Sequence, residues 1–301
     1  VLVDANTIPE PEPEPEPVPA SSFHSVFRTP HSAFLLAAVA LIIGITATWL
    51  LKPIPLAPEP PVRKFQWPIE GLGSVVISPD GTMVAYVADS RLWIRDLDQV
   101  TPREIPDSKG ARGVFWSPTS AYVGYIIPGE VRKVSARGGP STTLSRGDFT
   151  NATWRMDDMI IIDYRSNSGE VLGIVSAQGG EVTLYSEPDS TGREHEDPHA
   201  LPDGRSLAFI VENSDDTEDI VIRTGDAHRV LVHSNPGEDL GSPFYAPSGH
   251  LLYIKNSDGN FNIWAIPFDL STQTRTGDPI LVAENAAFPS VATDGTLTVQ
   301  D

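Results

Sequence analysis

Five consecutive residues have the types and spacing of a hydrolytic metal site: His195-Glu196-Asp197-Pro198-His199. Read as H-E-x-x-H, they would offer two imidazoles to zinc and a carboxylate to the metal-bound water, provided a helix put both rings on one face. Pro198 forbids that helix. It has no backbone N–H, its ring collides with the carbonyl four residues back, and it biases Asp197 towards extended angles. The segment then runs into Leu201-Pro202-Asp203-Gly204, which is turn chemistry. The zinc spelling is therefore read as accidental, and no catalytic, cofactor or metal residue is assigned to this chain.

Other constellations fare no better. There is no cysteine, which excludes disulfides, thiolate metal sites and cysteine nucleophiles. No G-x-S-x-G nucleophile elbow occurs, and neither does a kinase Gly-rich loop with its lysine, an His-Arg-Asp loop or an Asp-Phe-Gly. Gly71-Leu72-Gly73-Ser74 lacks the third glycine and the helix of a dinucleotide site. "NSDGN" at 256–260 lacks the EF-hand glutamate and reads as a hairpin turn. "ENSDDTED" at 212–219 reads as a solvated turn between two strands, and Asn151-Ala152-Thr153 carries no weight as a glycosylation string. A net charge of −19, spread along the chain, argues against nucleic acid or anionic lipid as the main partner.

Three zones must position whatever function exists. Residues 1–32 contain an alternating run from Pro9 to Pro17 of proline and glutamate, a stiff, extended, disordered linker. A linker needs something on both sides and few residues precede it, so the sequence is expected to be part of a longer protein. Residues 33–51, "AFLLAAVALIIGITATWLL", are uncharged and just long enough to cross a bilayer as one helix, with Trp49 near an interface. Lys and Arg flank this run on both sides, so charge alone does not orient it.

From residue 62 onward, short Val/Ile/Tyr/Trp-rich runs alternate with turn clusters. The clusters recur: Ser78-Pro79-Asp80-Gly81, Ser117-Pro118-Thr119-Ser120, Arg155-Met156-Asp157-Asp158, Leu201-Pro202-Asp203-Gly204, Ala246-Pro247-Ser248-Gly249 and Ala292-Thr293-Asp294-Gly295. Their fourth positions lie 39, 38, 46, 45 and 46 residues apart. Such a period, built of short strands, predicts propeller blades of four antiparallel strands. "VSARGGPSTTLS" (134–145) and "VSAQGGEVTLYS" (175–186) share seven of twelve letters and repeat one hairpin in two blades. The count over 62–301 is five blades and the two inner strands of a sixth, with "VRKFQWPI" at 62–69 a candidate outer strand for that last blade and the C terminus read as cut. In this frame "HEDPHALPDG" is a loop entering the fourth blade followed by its innermost strand. His195, Glu196 and His199 are thereby candidate ligand-facing residues at the channel mouth.

These turns, in this order, resemble the TolB-like propeller repeats, relatives of WD-type repeats, over about 64–301. More closely, "SPDGTMVAYVADSRLWIRDLD" (78–98), "KVSARGGPSTTL" (133–144), "PHALPDGRSLAFI" (198–210) and the stretch 266–297, placed after a Pro-rich linker and an apolar helix, resemble the propeller of bacterial eukaryotic-like transmembrane serine/threonine kinases. The resemblance implies an all-β, six-bladed propeller facing the periplasm, its last blade incomplete. It also implies a cytoplasmic linker, a single-pass anchor, and a non-catalytic sensor that binds a protein, peptide or small envelope ligand. The kinase itself would lie outside this sequence. The alternatives are the propeller of a prolyl-oligopeptidase-like enzyme without its hydrolase domain, and the ectodomain of a membrane-bound winged-helix regulator.

Overall fold

The computed structural model describes residues 31–50, 66–166, 169–186 and 193–300. The chain divides into two units, 1–65 and 66–301. The linker expected at 1–32 falls almost wholly outside the described residues.

In the first unit His31–Leu50 is an α-helix. Its apolar side chains are bare, with Phe34, Leu36 and Trp49 each at least 70% exposed. Thr46 and Thr48 donate their hydroxyls back to the carbonyls of Ile42 (2.8 Å) and Gly44 (2.6 Å), so neither projects an unsatisfied polar group. Among the described residues no helix is long and apolar enough to cross a membrane. The side chains described, 34–49, cover about 24 Å of helical rise against about 30 Å of hydrocarbon. Of the span expected at 33–51, residues 33–50 are helical.

The second unit is a propeller. Five sheets each hold four strands in sequential antiparallel order, spanning 72–104, 113–146, 149–186, 195–233 and 238–275, and Ile280–Ala283 adds a further strand to the fifth. A sixth sheet pairs Ala287–Val291 with Leu297–Gln300. The six innermost strands are Leu72–Ile77, Gly113–Trp116, Phe149–Trp154, His195–Ala200, Glu238–Ala246 and Ala287–Val291, and each adjoins the next around a closed ring.

The repeat explains the geometry. All six fourth positions of the recurring turns have left-handed backbone: Gly81 (φ 73°), Ser120 (59°), Asp158 (60°), Gly204 (71°), Gly249 (78°) and Gly295 (87°). Glycine takes this conformation without a Cβ penalty, and the hairpins that reverse the chain need it. In the first turn Ser78 donates to Asp80 Oδ1 (2.6 Å), and the Thr82 amide donates to the same oxygen (3.0 Å). The Met83 amide closes the turn on Ser78 Oγ at 2.9 Å. Asx and hydroxyl bonds thereby replace backbone ladder bonds where the strand ends.

The interior of each second strand is apolar on both faces because blades stack face to face. Val84–Ala88, Ile160–Ile162 and Leu207–Val211 are all buried. Each of the six seams between blades contains its own apolar cluster, so the core is a ring of six wedges. The ring closes where the sixth sheet meets the first blade. There the Ile77 amide donates to Ser290 Oγ (3.2 Å), and both the amide and the hydroxyl of Thr293 donate to the Pro79 carbonyl (2.8 Å each).

Two sequence expectations need correction. Among the described residues, the outer strand sought at 62–69 is not found in the last sheet. Residues 62–65 lie outside the described set, and 66–69 form no strand. Trp67 instead lies against the first blade, 3.5 Å beneath the Arg95 guanidinium and 6.0 Å from the Tyr86 ring. Cation–π attraction and apolar cover hold it there. The second correction concerns His195, expected in a loop. It opens the innermost strand of blade 4, His195–Ala200. Pro198 is tolerated because a bulge falls between Glu196 and His199, with Asp197 at φ 50°, so no ladder bond is asked of the proline nitrogen.

Candidate functional site

The central channel opens into a cavity of about 470 Å³, to which all six innermost strands contribute. Because each innermost strand runs towards its turn, the lining changes along the axis. At the turn end the rim is Pro79, Pro118, Met156, Pro202, Pro247 and Thr293, an almost wholly apolar collar set by the recurring motif. The wall carries Trp116, Trp154 and Phe244. Phe288, 47% exposed with a φ of 51°, stands at the base, in the bulge position that Asp197 and Ser242 hold in their own strands. Beside it the base is polar: Asn151 donates to Asp197 Oδ1, and the Ser242 amide donates to Asp197 Oδ2, at 2.8 Å each. Such a vessel, apolar at its mouth and anionic with amide dipoles at its base, suits an apolar group carrying a polar or cationic tip.

The three candidate ligand-facing residues separate. Only His199 lines the cavity, its ring 4.2 Å from Phe244. Burial pulls its pKa down to about 4, so it enters the cavity as a neutral imidazole at physiological pH. His195 is instead anchored between strands, Nδ1 2.8 Å from Ser186 Oγ and its ring edge-on to Phe209 at 5.3 Å. Ser186 is buried and also accepts the Leu172 amide at 3.3 Å, so this Ser–His contact is scaffold rather than a nucleophile. Two residues four apart on a strand sit about 13 Å from each other. The helix that H-E-x-x-H chemistry requires is replaced by a bulged strand.

Glu196 leads elsewhere, into the seam between blades 3 and 4. One oxygen from each of Asp163, Glu170 and Glu196 can be chosen so that all lie within 4.8 Å of one another. Asp163 and Arg165 share a face of the second strand of blade 3, and Glu170 stands directly opposite Arg165 on the third strand, with which it pairs. Asp163 is 2% exposed; its Oδ2 accepts the Asp197 amide at 3.4 Å and its Oδ1 has no hydrogen-bond partner. Burial, then the nearby Glu170 charge, pushes the Asp163 carboxyl up to about 7. Burial, then Asp197, Asp163 and Glu170, pushes Glu196 up to about 8. The sequence analysis missed Asp163 and Glu170. The signal was present in "MIIIDY", where one aspartate interrupts a run that is otherwise buried on both faces.

No protein-family model matches the chain, and no curated protein matches it. Solved structures do match. A putative TolB from Agrobacterium tumefaciens is similar with a TM-score of 0.62 at 13% identity, over 76% of this chain and 89% of that one. TolB from Acinetobacter baumannii is similar with a TM-score of 0.55 at 17% identity, over 66% of this chain and 52% of the other. The tricorn protease gives 0.53 at 11% identity, over 81% of this chain but only 29% of its own length. Together with the ring of sheets, these likenesses define a TolB-like β-propeller fold.

Proposed function

We propose that this chain is a non-catalytic, membrane-tethered binding module, the envelope-facing propeller of a bacterial serine/threonine kinase, which takes a peptide or small envelope ligand into its central cavity. The observation that carries the reading is the cavity itself: an apolar collar built by the repeat, over a base of Asp197, Asn151 and Ser242. The tether rests on the bare, uncharged helix His31–Leu50 with its hydroxyls turned inward. The kinase association rests on the resemblance of the repeats, the linker and their order.

A probe that fits the cavity is a short peptide with one aromatic side chain and a free N-terminal amine. Its ring would stack among Trp116, Trp154 and Phe244, and its cation would face Asp197. Calorimetric titration of the full chain in detergent with such peptides is expected to show saturable binding, weakened about tenfold or more by Met156→Glu. Met156 is 65% exposed on the collar, so this substitution leaves the core intact. Peptide cleavage by the purified chain would overturn the non-catalytic reading. The sequence upstream of Val1 in the reading frame tests the kinase association directly.

A second reading is favoured by the tricorn protease likeness and by a similar match to prolyl endopeptidases, 18% identical with a TM-score of 0.50 over 37% of those chains. Under it the propeller filters substrates for a hydrolase domain. A nucleophile elbow downstream of Asp301 in the same reading frame would establish that reading over the first.

A further inference from the structure

We propose that Asp163, Glu170 and Glu196 bind one divalent cation, calcium in preference to magnesium, in the seam between blades 3 and 4. This goes beyond ligand binding in the cavity and holds whether or not the cavity is ever filled.

Three observations carry the site. The donor set is all carboxylate oxygen, which selects hard cations over zinc or copper. The oxygens lie within 4.8 Å of one another, close enough to share one ion. Among hard cations calcium is favoured, because it tolerates an irregular shell, whereas magnesium demands near-ideal octahedral geometry and dehydrates reluctantly. The third observation is independent of the clustering. Asp163 is 98% buried, yet its Oδ1 makes no hydrogen bond of good geometry, the Thr150 side chain acting on the carboxyl only as a neighbouring donor. A buried carboxylate oxygen without a partner costs about 1–3 kcal/mol or more, and native structures rarely leave one so. A cation at the focus of the three side chains supplies the missing partner.

The surroundings agree. Arg165 takes Oε1 of Glu170 from a largely solvent-exposed position and leaves Oε2 for a metal. After burial, the largest charged influences on Glu196 are carboxylates: Asp197, Asp163, Glu170 and Glu218. Asp197 is not a ligand in this scheme, because Asn151 and the Ser242 amide already occupy its two oxygens. Its amide holds Asp163 in place instead. Three protein ligands leave the rest of a six- to eight-fold calcium shell to water, so affinity in the range of about 10 μM to 1 mM is expected.

The test uses the full chain in non-ionic detergent, stripped with EDTA and titrated at pH 7.5 with calcium chloride or magnesium chloride. Calcium at about 5 mM is expected to raise the melting temperature by about 2–5 °C with one ion bound per chain, and magnesium to do markedly less. Asp163→Asn and Glu196→Gln should each melt higher than the parent in EDTA, their repulsion relieved, and lose the calcium response. Asp215→Asn, in the exposed turn at 213–217, should retain it. Absence of any calcium response in the parent chain, or a response surviving both seam substitutions, would overturn the proposal. If Asp163→Asn fails to fold, Glu196→Gln alone decides.

Discussion

The seam between blades 3 and 4 and the seam between the sixth sheet and blade 1 do the same mechanical job with opposite chemistry. The closing seam is cross-linked by uncharged groups, although the Asp294 carboxylate packs against Gly81 at its turn end. Its cross-links are hydroxyl and backbone bonds from Ser290 and Thr293, laid beside an apolar cluster of Ile77, Val84, Tyr86 and Ala292. The 3–4 seam also has an apolar cluster, around Ile161, Leu172 and Phe209, but the carboxylates of Asp163, Glu170 and Glu196 meet beside it. Hydroxyl–amide bonds keep their strength across physiological pH, whereas buried carboxyls change charge within it. One seam is therefore fixed, and the other is conditional on protons or a cation.

The largest expected effect tests the fixed seam. Deleting 287–300 removes the sheet that joins blade 5 to blade 1 and uncovers apolar faces on both. The melting temperature should fall by about 10 °C or more and the transition should broaden, read by circular dichroism. An unchanged, cooperative melt would mean that the sixth sheet does not close the ring.

Next in size is the pH dependence of the conditional seam. Asp163 and Glu196 hold their protons to about 7 and about 8, above the ordinary carboxylate range. Their contribution is fully present below about pH 4 and is lost as pH rises towards 8. His199 has the opposite sign. With its pKa lowered to about 4, the stability of its neutral form is present above about 6.5 and lost as pH falls towards 4. Two carboxyls outweigh one imidazole between these limits, so the parent chain in EDTA should be most stable near pH 4–5 and lose about 1–3 kcal/mol or more by pH 8.5, read by urea melts. Asp163→Asn should flatten the alkaline limb while leaving the acid limb in place. A steep alkaline limb in that variant would place the titrating groups elsewhere.

The smallest effect sharpens the contrast. Ser290→Ala removes the acceptor of the Ile77 amide inside the closing seam, where Ser290 is 1% exposed. The cost should be about 1–2 kcal/mol, equal at pH 5.5 and pH 8.5. A cost that varies with pH would mean that uncharged groups alone do not hold the closing seam.

The ring was legible in the sequence because its turns are local. Gly81, Gly204, Gly249 and Gly295 declare left-handed positions by residue type, and the period alone placed Ser120 and Asp158 in the same role, where their φ values of 59° and 60° agree. Gly138 and Gly179 likewise hold positive φ in the duplicated hairpin. His199 was legible as a channel residue because it lies just before such a turn. The carboxylate site was not, since Asp163, Glu170 and Glu196 come from three strands of two blades and meet only through ring closure. Trp67 misled for a related reason. Its segment has strand-like composition, yet residues 66–69 form no strand and Trp67 lies under the Arg95 guanidinium of the first blade. The bulge at Asp197 was equally hidden, because Pro198 reads as the end of a strand unless a bulge excuses its missing N–H.

The contrast between the two seams can be measured most directly by amide hydrogen exchange on the EDTA-treated chain at pH 5.5 and pH 8.5, corrected for intrinsic rates. The account predicts that amides at the 3–4 seam, Asp197 and Leu172 among them, lose protection by about tenfold or more at the higher pH. Ile77 and Thr293 at the closing seam should keep theirs, and added calcium should restore the first set without touching the second. Equal protection at both seams at pH 8.5, or loss at Ile77 and Thr293 alone, would contradict it.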